Sequence, residues 1–116
     1  MQIGALKDLV VHTLNEMKAN DVQVLDVRER TSIADFLVVA SGTSGRHVKS
    51  IAEAVAFKAK QAGELVVGQE GLQEGEWALV DLNNIIVHVM QPKVRNYYQI
   101  EQLWGVNSHP IIEAQS

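Results

Sequence analysis

The feature that most constrains the fold is an almost uninterrupted apolar segment at residues 34–41, Ala-Asp-Phe-Leu-Val-Val-Ala-Ser. It lacks the alternation of apolar and polar side chains that is typical of a strand with one face in water. A run of this kind is typical of a strand that is buried on both of its faces. We therefore predict that this segment is a central strand of a sheet.

A helix and a strand are predicted before this segment. Apolar residues recur at three- and four-residue steps and predict a helix that ends near Asn20: Ile3, Leu6, Val10, Leu14 and Met17. Residues 22–27 are rich in β-branched side chains, which favours a strand. The polar residues 28–32 predict a hairpin connection from this strand to the central one.

A second helix is predicted after the central strand. Thr43 or Ser44 is its expected N-cap, and Gly63 is its expected C-terminal stop. Its apolar positions again follow helical spacing: Val48, Ile51, Ala52, Val55 and Ala59. Beyond it, residues 65–67 predict a short strand and the acidic, glycine-containing residues 68–76 predict a loop.

A β-hairpin is predicted at residues 77–82 and 85–90. The residues between these strands are Asn83 and Asn84, which tolerate the positive φ that a two-residue turn requires. One face of the hairpin is wholly apolar and is expected to join the core. Pro92 ends the second strand, and residues 94–104 predict a last helix.

The opposite face of the hairpin has the composition of a protein interface. It carries Trp77, Leu79, Asp81, Ile86, His88 and Met90. Aromatic residues and Met with a polar border are enriched at such interfaces. The alternative is that a helix covers this face, since sheets of this size are often covered on both sides. Tyr97, Tyr98 and Trp104 share the ambiguity, because neighbouring residues of one helix cannot both point inward.

Together these elements predict an α/β (α+β) fold, a mixed β-sheet covered by helices in the order α-β-β-α-(β)-β-β-α. The chain has 116 residues, of which 47% are apolar. A chain of this size buries about two-thirds of its unfolded surface, enough for one core but not for two. We therefore predict a single domain over residues 1–105 and a flexible tail at 106–116, which is polar and contains Pro110.

Composition excludes several classes of protein. The chain has no cysteine, which fits a cytoplasmic location and leaves no thiolate nucleophile or cysteine metal site. No apolar run is long enough to span a bilayer, and the N-terminus does not resemble a signal peptide. The net charge of −4 disfavours a function that depends on binding nucleic-acid phosphates.

The negative charge is concentrated in the second half of the chain. Residues 1–60 contain eight Lys and Arg and seven acidic residues, whereas residues 61–116 contain two and seven. The simpler interpretation is a solvated acidic face. The more specific one is a docking surface for a basic partner, since complementary potentials speed and orient association.

The turn after the central strand is a weaker candidate site. Backbone N–H groups at a helix start, glycines, hydroxyls and a cation could together bind an anion: Gly42, Thr43, Ser44, Arg46 and His47. The turn matches neither a P-loop nor a dinucleotide fingerprint. A tight turn with a hydroxyl cap is the simpler and favoured interpretation.

An active site has little support from the sequence. Metal-assisted nucleotidyl transfer needs two or three converging carboxylates, but the hairpin offers Asp81 alone, followed by Leu82 and Asn83. Asp26 and Asp35 lie on other predicted strands. The four histidines share no ligand spacing, and no serine has a nucleophile-elbow pattern. We therefore predict no catalytic residue, no metal site and no cofactor. A nucleotidyltransferase-like enzyme or an anion- or nucleotide-binding module at the Gly42 to His47 turn remains the alternative.

Several separated segments resemble the ribosomal silencing factor family (RsfS or Iojap-like), in order and at the right spacing. They are residues 34–44, Arg46-His47-Val48, residues 77–82, residues 87–90, Tyr97-Tyr98 and Leu103-Trp104. The likeness runs from about Leu6 to Gly105. The resemblance implies a fold related to nucleotidyltransferases but without their activity.

The resemblance also implies a function and a binding site. Members of the family bind the large ribosomal subunit through a ribosomal protein on its intersubunit face. They thereby block joining of the small subunit sterically and lower translation when nutrients are scarce. By position, the partner-contacting residues fall on Trp77, Leu82 and Tyr98, with Met90 beside Trp77 in the hairpin register. In that register Leu82 points away from the Trp77 face. An open apolar face also makes a homodimer plausible when the protein is off the ribosome.

Overall fold

A computed structural model describes residues 1–104, so the predicted tail lies outside the described residues. Its helices are α1 (Ile3–Glu16), α2 (Gly45–Gln61), α3 (Pro92–Tyr98) and α4 (Ile100–Trp104). Its strands are β1 (Asn20–Asp26), β2 (Phe36–Ser41), β3 (Gly68–Glu70), β4 (Trp77–Asp81) and β5 (Ile85–Met90). The mixed sheet and the α/β (α+β) class are therefore as predicted.

The five strands form one sheet in the order β1-β2-β5-β4-β3. β2 and β5 are parallel, and the other neighbouring pairs are antiparallel. All six residues of β2 are buried. This confirms the interpretation of the apolar run, because only a strand with neighbours on both sides and cover on both faces buries every side chain.

Each face of the sheet has its own apolar cluster, and β2 alternates between them. Phe36, Val38 and Ala40 pack with the buried stripes of α1 and α2, whereas Leu37 and Val39 pack with Ile100 of α4 on the other side. α1 and α2 therefore cover one face, which we call the α1/α2 face. The short α3 and α4 cover part of the other, which we call the α3/α4 face.

The hairpin of β4 and β5 has the predicted register. Trp77 pairs with Met90, Val80 with Val87, and the Leu82 N–H donates to the Ile85 carbonyl across the turn. Asn83 has a φ of 76°, a conformation that Asn adopts more readily than most residues.

Three predicted boundaries were wrong. α1 ends at Glu16 rather than near Asn20, because Lys18 has a φ of 61° and turns the chain into β1. The short strand lies at Gly68–Glu70 rather than at 65–67, within the predicted loop, because its pairing with β4 rather than its apolarity defines it. The single helix predicted at 94–104 is two helices, broken at Gln99, whose φ is 48°.

Candidate protein-binding surface

The α3/α4 face carries a cluster of rings at the start of β4. Trp77 is half-buried, and its ring centroid lies 5.8 Å from that of His88 and 5.0 Å from that of Tyr98. Tyr97 meets Tyr98 edge to face at 4.9 Å. We call Trp77, His88, Tyr97 and Tyr98 the aromatic cluster. It combines side chains of two strands with side chains of the helix that follows the hairpin. Local sequence patterns alone do not bring these side chains together.

The outer part of the aromatic cluster is open to solvent. Tyr97 is 80% exposed and Tyr98 is 55% exposed. Neither ring therefore points into the core, so the residues of α3 that reach the sheet are others. Large amphipathic rings held at a surface are the side chains that most often anchor a protein partner.

The inner part of the cluster contains a hydrogen bond between two of its rings. Trp77 Nε1 donates a hydrogen bond of 2.9 Å to Nδ1 of His88, whose side chain is buried. Burial lowers the pKa of His88 to about 4, because the charged imidazolium would lose its hydration. At neutral pH the ring is therefore neutral, with its proton on Nε2 and Nδ1 free to accept.

A buried arginine attaches α3 to the rest of the fold. Arg95 donates through Nη1 to Ser41 Oγ at 2.9 Å, and through Nε and Nη2 to a carboxylate oxygen of Glu101 at 2.9 and 2.7 Å. Asp21 lies 3.7 Å from the same guanidinium. These contacts join α3 to α4 and to the ends of β1 and β2. Arg95 was not predicted from the sequence, although only Lys93 and Arg95 are Lys or Arg after residue 60.

Two of the four predicted partner-binding side chains lie beneath this surface. Leu82 is 3% exposed and packs in the cluster of the α1/α2 face. Met90 is fully buried on the α3/α4 face, with Trp77 packed against its cluster. The hairpin register explains both positions: Leu82 points away from Trp77, and Met90 lies where α3 and α4 cover the sheet. Trp77 and Tyr98 carry the accessible part of the predicted set.

Acidic side chains lie along the edge of the sheet formed by β3 and β4. Glu70 and Asp81 belong to these strands, and Glu74 and Glu76 lie in the segment that connects them. Within residues 1–104, none of these four carboxylates forms a salt bridge. Glu64 differs, because it lies 3.1 Å from the N-terminal amine. The acidic residues between 61 and 104 thus lie largely along the β3/β4 edge of the sheet.

The turn predicted as a possible anion site is occupied by its own contacts. Thr43 N donates to His47 Nδ1 at 2.9 Å, and His47 N donates to Ser44 Oγ at 3.1 Å, which makes Ser44 the N-cap. His47 Nε2 lies 2.8 Å from the Met17 carbonyl. Gly42 is needed for close packing, since an added Cβ would lie 2.9 Å from Val48. The turn thereby fixes α2 against β2 and α1.

Two of the carboxylates considered for metal-assisted catalysis are engaged in contacts of their own. Asp26 forms an ion pair with Arg28, which lowers the pKa of Asp26 to about 2, and Asp81 accepts from Asn83 N. No group of three or more metal-ligating side chains occurs within residues 1–104. Of the helices described there, none is long and apolar enough to cross a membrane.

Comparison with known proteins supplies the family. Residues 2–116 match the family described as ribosomal silencing factor during starvation. The ribosomal silencing factor RsfS of Chromobacterium violaceum is 45% identical over 105 residues, which cover 90% of this chain and 86% of that protein. A mouse protein named mitochondrial assembly of ribosomal large subunit protein 1 is 30% identical over 104 residues, which cover 87% of this chain and 46% of that protein.

A solved structure agrees with the fold described above. A crystal structure of a Chromobacterium violaceum protein superposes with a TM-score of 0.90 at 44% identity and covers 93% of this chain and 90% of that one. The chain belongs to the ribosomal silencing factor family, and its role is ribosome-associated silencing of translation.

Proposed function

We propose that this protein binds the large ribosomal subunit and sterically prevents the small subunit from joining it, which lowers translation under nutrient limitation. The contact is made with a basic ribosomal protein on the intersubunit face. The observation that carries this proposal is the exposed aromatic cluster on a sheet whose β3/β4 edge bears carboxylates that form no salt bridge within residues 1–104. The name of the mouse relative, which refers to the large subunit, supports the choice of subunit.

The proposed mechanism is occlusion and needs no catalysis. A bound domain on the intersubunit face excludes the other subunit by its volume alone. No group of three or more metal-ligating side chains occurs within residues 1–104, and the proposal assigns no step to a metal. We propose that it acts in the cytoplasm, where ribosomal subunits meet.

The four residues predicted for the partner contact take different parts in this proposal. Trp77 and Tyr98 contact the partner directly, since their rings meet at 5.0 Å and part of each reaches solvent. Met90 supports Trp77 from below, and Leu82 holds the hairpin end against the α1/α2 face. Leu82 and Met90 therefore act through the shape of the hairpin.

Sedimentation with purified large subunits tests the direct contacts. Trp77→Ala and Tyr98→Ala should each weaken binding about 100-fold, because truncating an aromatic anchor costs more than about 2 kcal/mol. Phe57→Ala is the matched control, since Phe57 is an aromatic side chain of α2 that is 59% exposed on the other side of the sheet. Full co-migration of both Trp77→Ala and Tyr98→Ala with the large subunit would overturn the proposed site.

Salt and subunit joining test the rest of the proposal. Binding should weaken between about 50 and 500 mM salt, because the carboxylates of the β3/β4 edge face a basic surface. Formation of whole ribosomes from purified subunits should fall as the protein is added, and Trp77→Ala should restore it. Salt-independent binding would contradict the basic partner, and unimpeded joining at saturating protein would contradict occlusion.

A homodimer off the ribosome is a further part of the proposal. A second copy could cover Tyr97 and Tyr98, whose apolar ring surface is otherwise in water. Sedimentation equilibrium at increasing concentration should detect the dimer, and Tyr98→Ala should weaken it. A monomer at all concentrations would remove this part and leave the ribosome contact untouched.

A further inference from the structure

We propose that His88 is a positioning residue for the partner contact: its buried Nδ1 fixes the Trp77 indole in the orientation that a partner binds. The inference rests on the proposed role of Trp77 and adds a role for His88. Neither the family match nor the sequence pattern gives His88 this positioning role. His88 does not itself reach the surface, since it is 7% exposed. It therefore acts through Trp77.

The hairpin geometry brings the two side chains together. Trp77 pairs with Met90, and His88 is the residue two positions before Met90 on the same face of β5. Diagonal neighbours of this kind are within reach of long aromatic side chains. The resulting hydrogen bond, from Trp77 Nε1 to His88 Nδ1, measures 2.9 Å.

This hydrogen bond selects one orientation of the indole. The indole has a single polar group, its N–H donor, so one buried acceptor determines which edge of the ring points inward. The terminal torsion of Trp is broad and does not fix the ring by itself. With the N–H edge held by His88, the ring contacts Tyr98 at 5.0 Å before any partner arrives.

The chemical state of His88 suits this role. Burial lowers its pKa to about 4, so the ring stays neutral and Nδ1 stays an acceptor throughout the physiological pH range. An apolar side chain would fill the same space on this face without the cost of burying a polar ring. What such a side chain would lack is the acceptor for Trp77.

A preorganised anchor improves affinity because binding no longer has to immobilise it. Ordering one flexible side chain at an interface weakens binding about 2- to 10-fold. We therefore expect loss of the acceptor to reduce affinity for large subunits by that factor. Loss of the indole itself should have a much larger effect.

The test compares substitutions at His88 that keep or remove the acceptor. His88→Phe and His88→Leu fill the site without one, whereas Asn places Oδ1 near the position of Nδ1. In the phenylalanine variant the indole N–H resonance of Trp77 should shift and exchange faster with solvent, and affinity should fall 2- to 10-fold. His88→Asn should restore most of both. Trp77→Phe and Trp104→Phe assign the two indole resonances.

A double-mutant cycle separates positioning from general damage. In a Trp77→Phe background the indole donor is absent, so His88→Phe should cause no further loss of affinity. An equal loss in both backgrounds, or an unshifted indole resonance, would overturn the inference. If His88→Phe fails to fold, the same comparisons are read from His88→Leu.

The inference and the proposed function fail in different ways. If Trp77→Ala binds large subunits as well as the unaltered protein does, the proposed anchor is wrong whatever His88 does. If Trp77→Ala loses binding while His88→Phe shifts the indole resonance and keeps full affinity, the proposed function stands and the positioning role is overturned.

Discussion

The two faces of the sheet are covered by different means. On the α1/α2 face, two helices of 14 and 17 residues bury a continuous apolar cluster. On the α3/α4 face, helices of 7 and 5 residues cover a smaller cluster, and the buried side chains here include the polar ones of Ser41 and His88 on the sheet and Arg95 on α3. Exposed tyrosines lie beside it.

This difference separates stability from binding. Close apolar packing is efficient at stabilising a fold, but it leaves little accessible surface for a partner. Buried polar groups are stabilising only while their partners are in place, yet they hold side chains in defined orientations. We therefore expect changes on the α1/α2 face to alter folding alone, and changes on the α3/α4 face to alter both folding and binding.

The largest expected effect on stability belongs to the α1/α2 face. Ile51 is fully buried in α2, so Ile51→Ala should lower the free energy of unfolding by about 4 kcal/mol through lost apolar burial and the cavity left behind. Urea unfolding measures this change, with Phe57→Ala on the exposed side of α2 as the control. Protein that remains folded should bind large subunits normally. Weakened binding by folded Ile51→Ala would abolish the division between the faces.

The second effect is a loss of stability in acid that originates on the α3/α4 face. The folded pKa of His88 is about 4, below its ordinary value of 6.5, so the unfolded chain binds a proton that the folded chain does not between these pH values. Stability contributed by neutral His88 is therefore complete above pH 6.5 and falls by about 3 kcal/mol as the pH drops to 4.

Urea unfolding at several pH values measures this loss, and His88→Phe should lack it. The pKa of Asp26, lowered to about 2 by Arg28, affects stability only below its ordinary value of 3.8, so the two groups act in separate windows. Equal acid sensitivity with and without His88 would show that the face does not depend on a neutral ring.

How far the sequence predicted the molecule also follows the division between the faces. Helical periodicity located α1 and α2, and a continuous apolar run located β2, because both are local patterns in the sequence. The register of the hairpin followed from the length of its turn. The burial of Arg95 could not be predicted in this way, because its partner Ser41 is 54 residues away in the sequence. An isolated arginine in a helix normally indicates a solvent-exposed position. Predicting its burial requires the packing of α3 against the ends of β1 and β2.

The candidate site was predicted only in part for the same reason. Trp77 and Tyr98 were chosen through a family resemblance, and the structure brings their rings together. The pattern of the hairpin placed Met90 on the same face as Trp77 but did not indicate how deeply it is buried. That depth depends on Ile100 and Val94, which pack on this cluster from beyond the hairpin.

A smaller loss of stability is expected when the arginine that attaches α3 is removed. Arg95→Met should lower the free energy of unfolding by about 2 kcal/mol, because Ser41 and Glu101 lose a buried donor while the residual exposure of Glu101 lets water replace part of it. Urea unfolding measures the change, and Lys93→Met on an exposed position of α3 is the control. Because Tyr98 lies on the same helix, binding to large subunits should also weaken. A change in stability with full binding would show that α3 need not be fixed for Tyr98 to act.

The smallest effect concerns the hairpin tip, which both faces share. Asn83 has a φ of 76°, so Asn83→Ala should lower the free energy of unfolding by about 1 kcal/mol, whereas Asn83→Gly should leave it nearly unchanged. Both variants keep the backbone N–H that donates to Asp81. Trp77 lies at the other end of β4, so folded Asn83→Ala should bind large subunits normally if the aromatic cluster is the main contact. A loss of binding as large as that of Trp77→Ala would instead show that the hairpin tip, including Leu82, takes part in the contact.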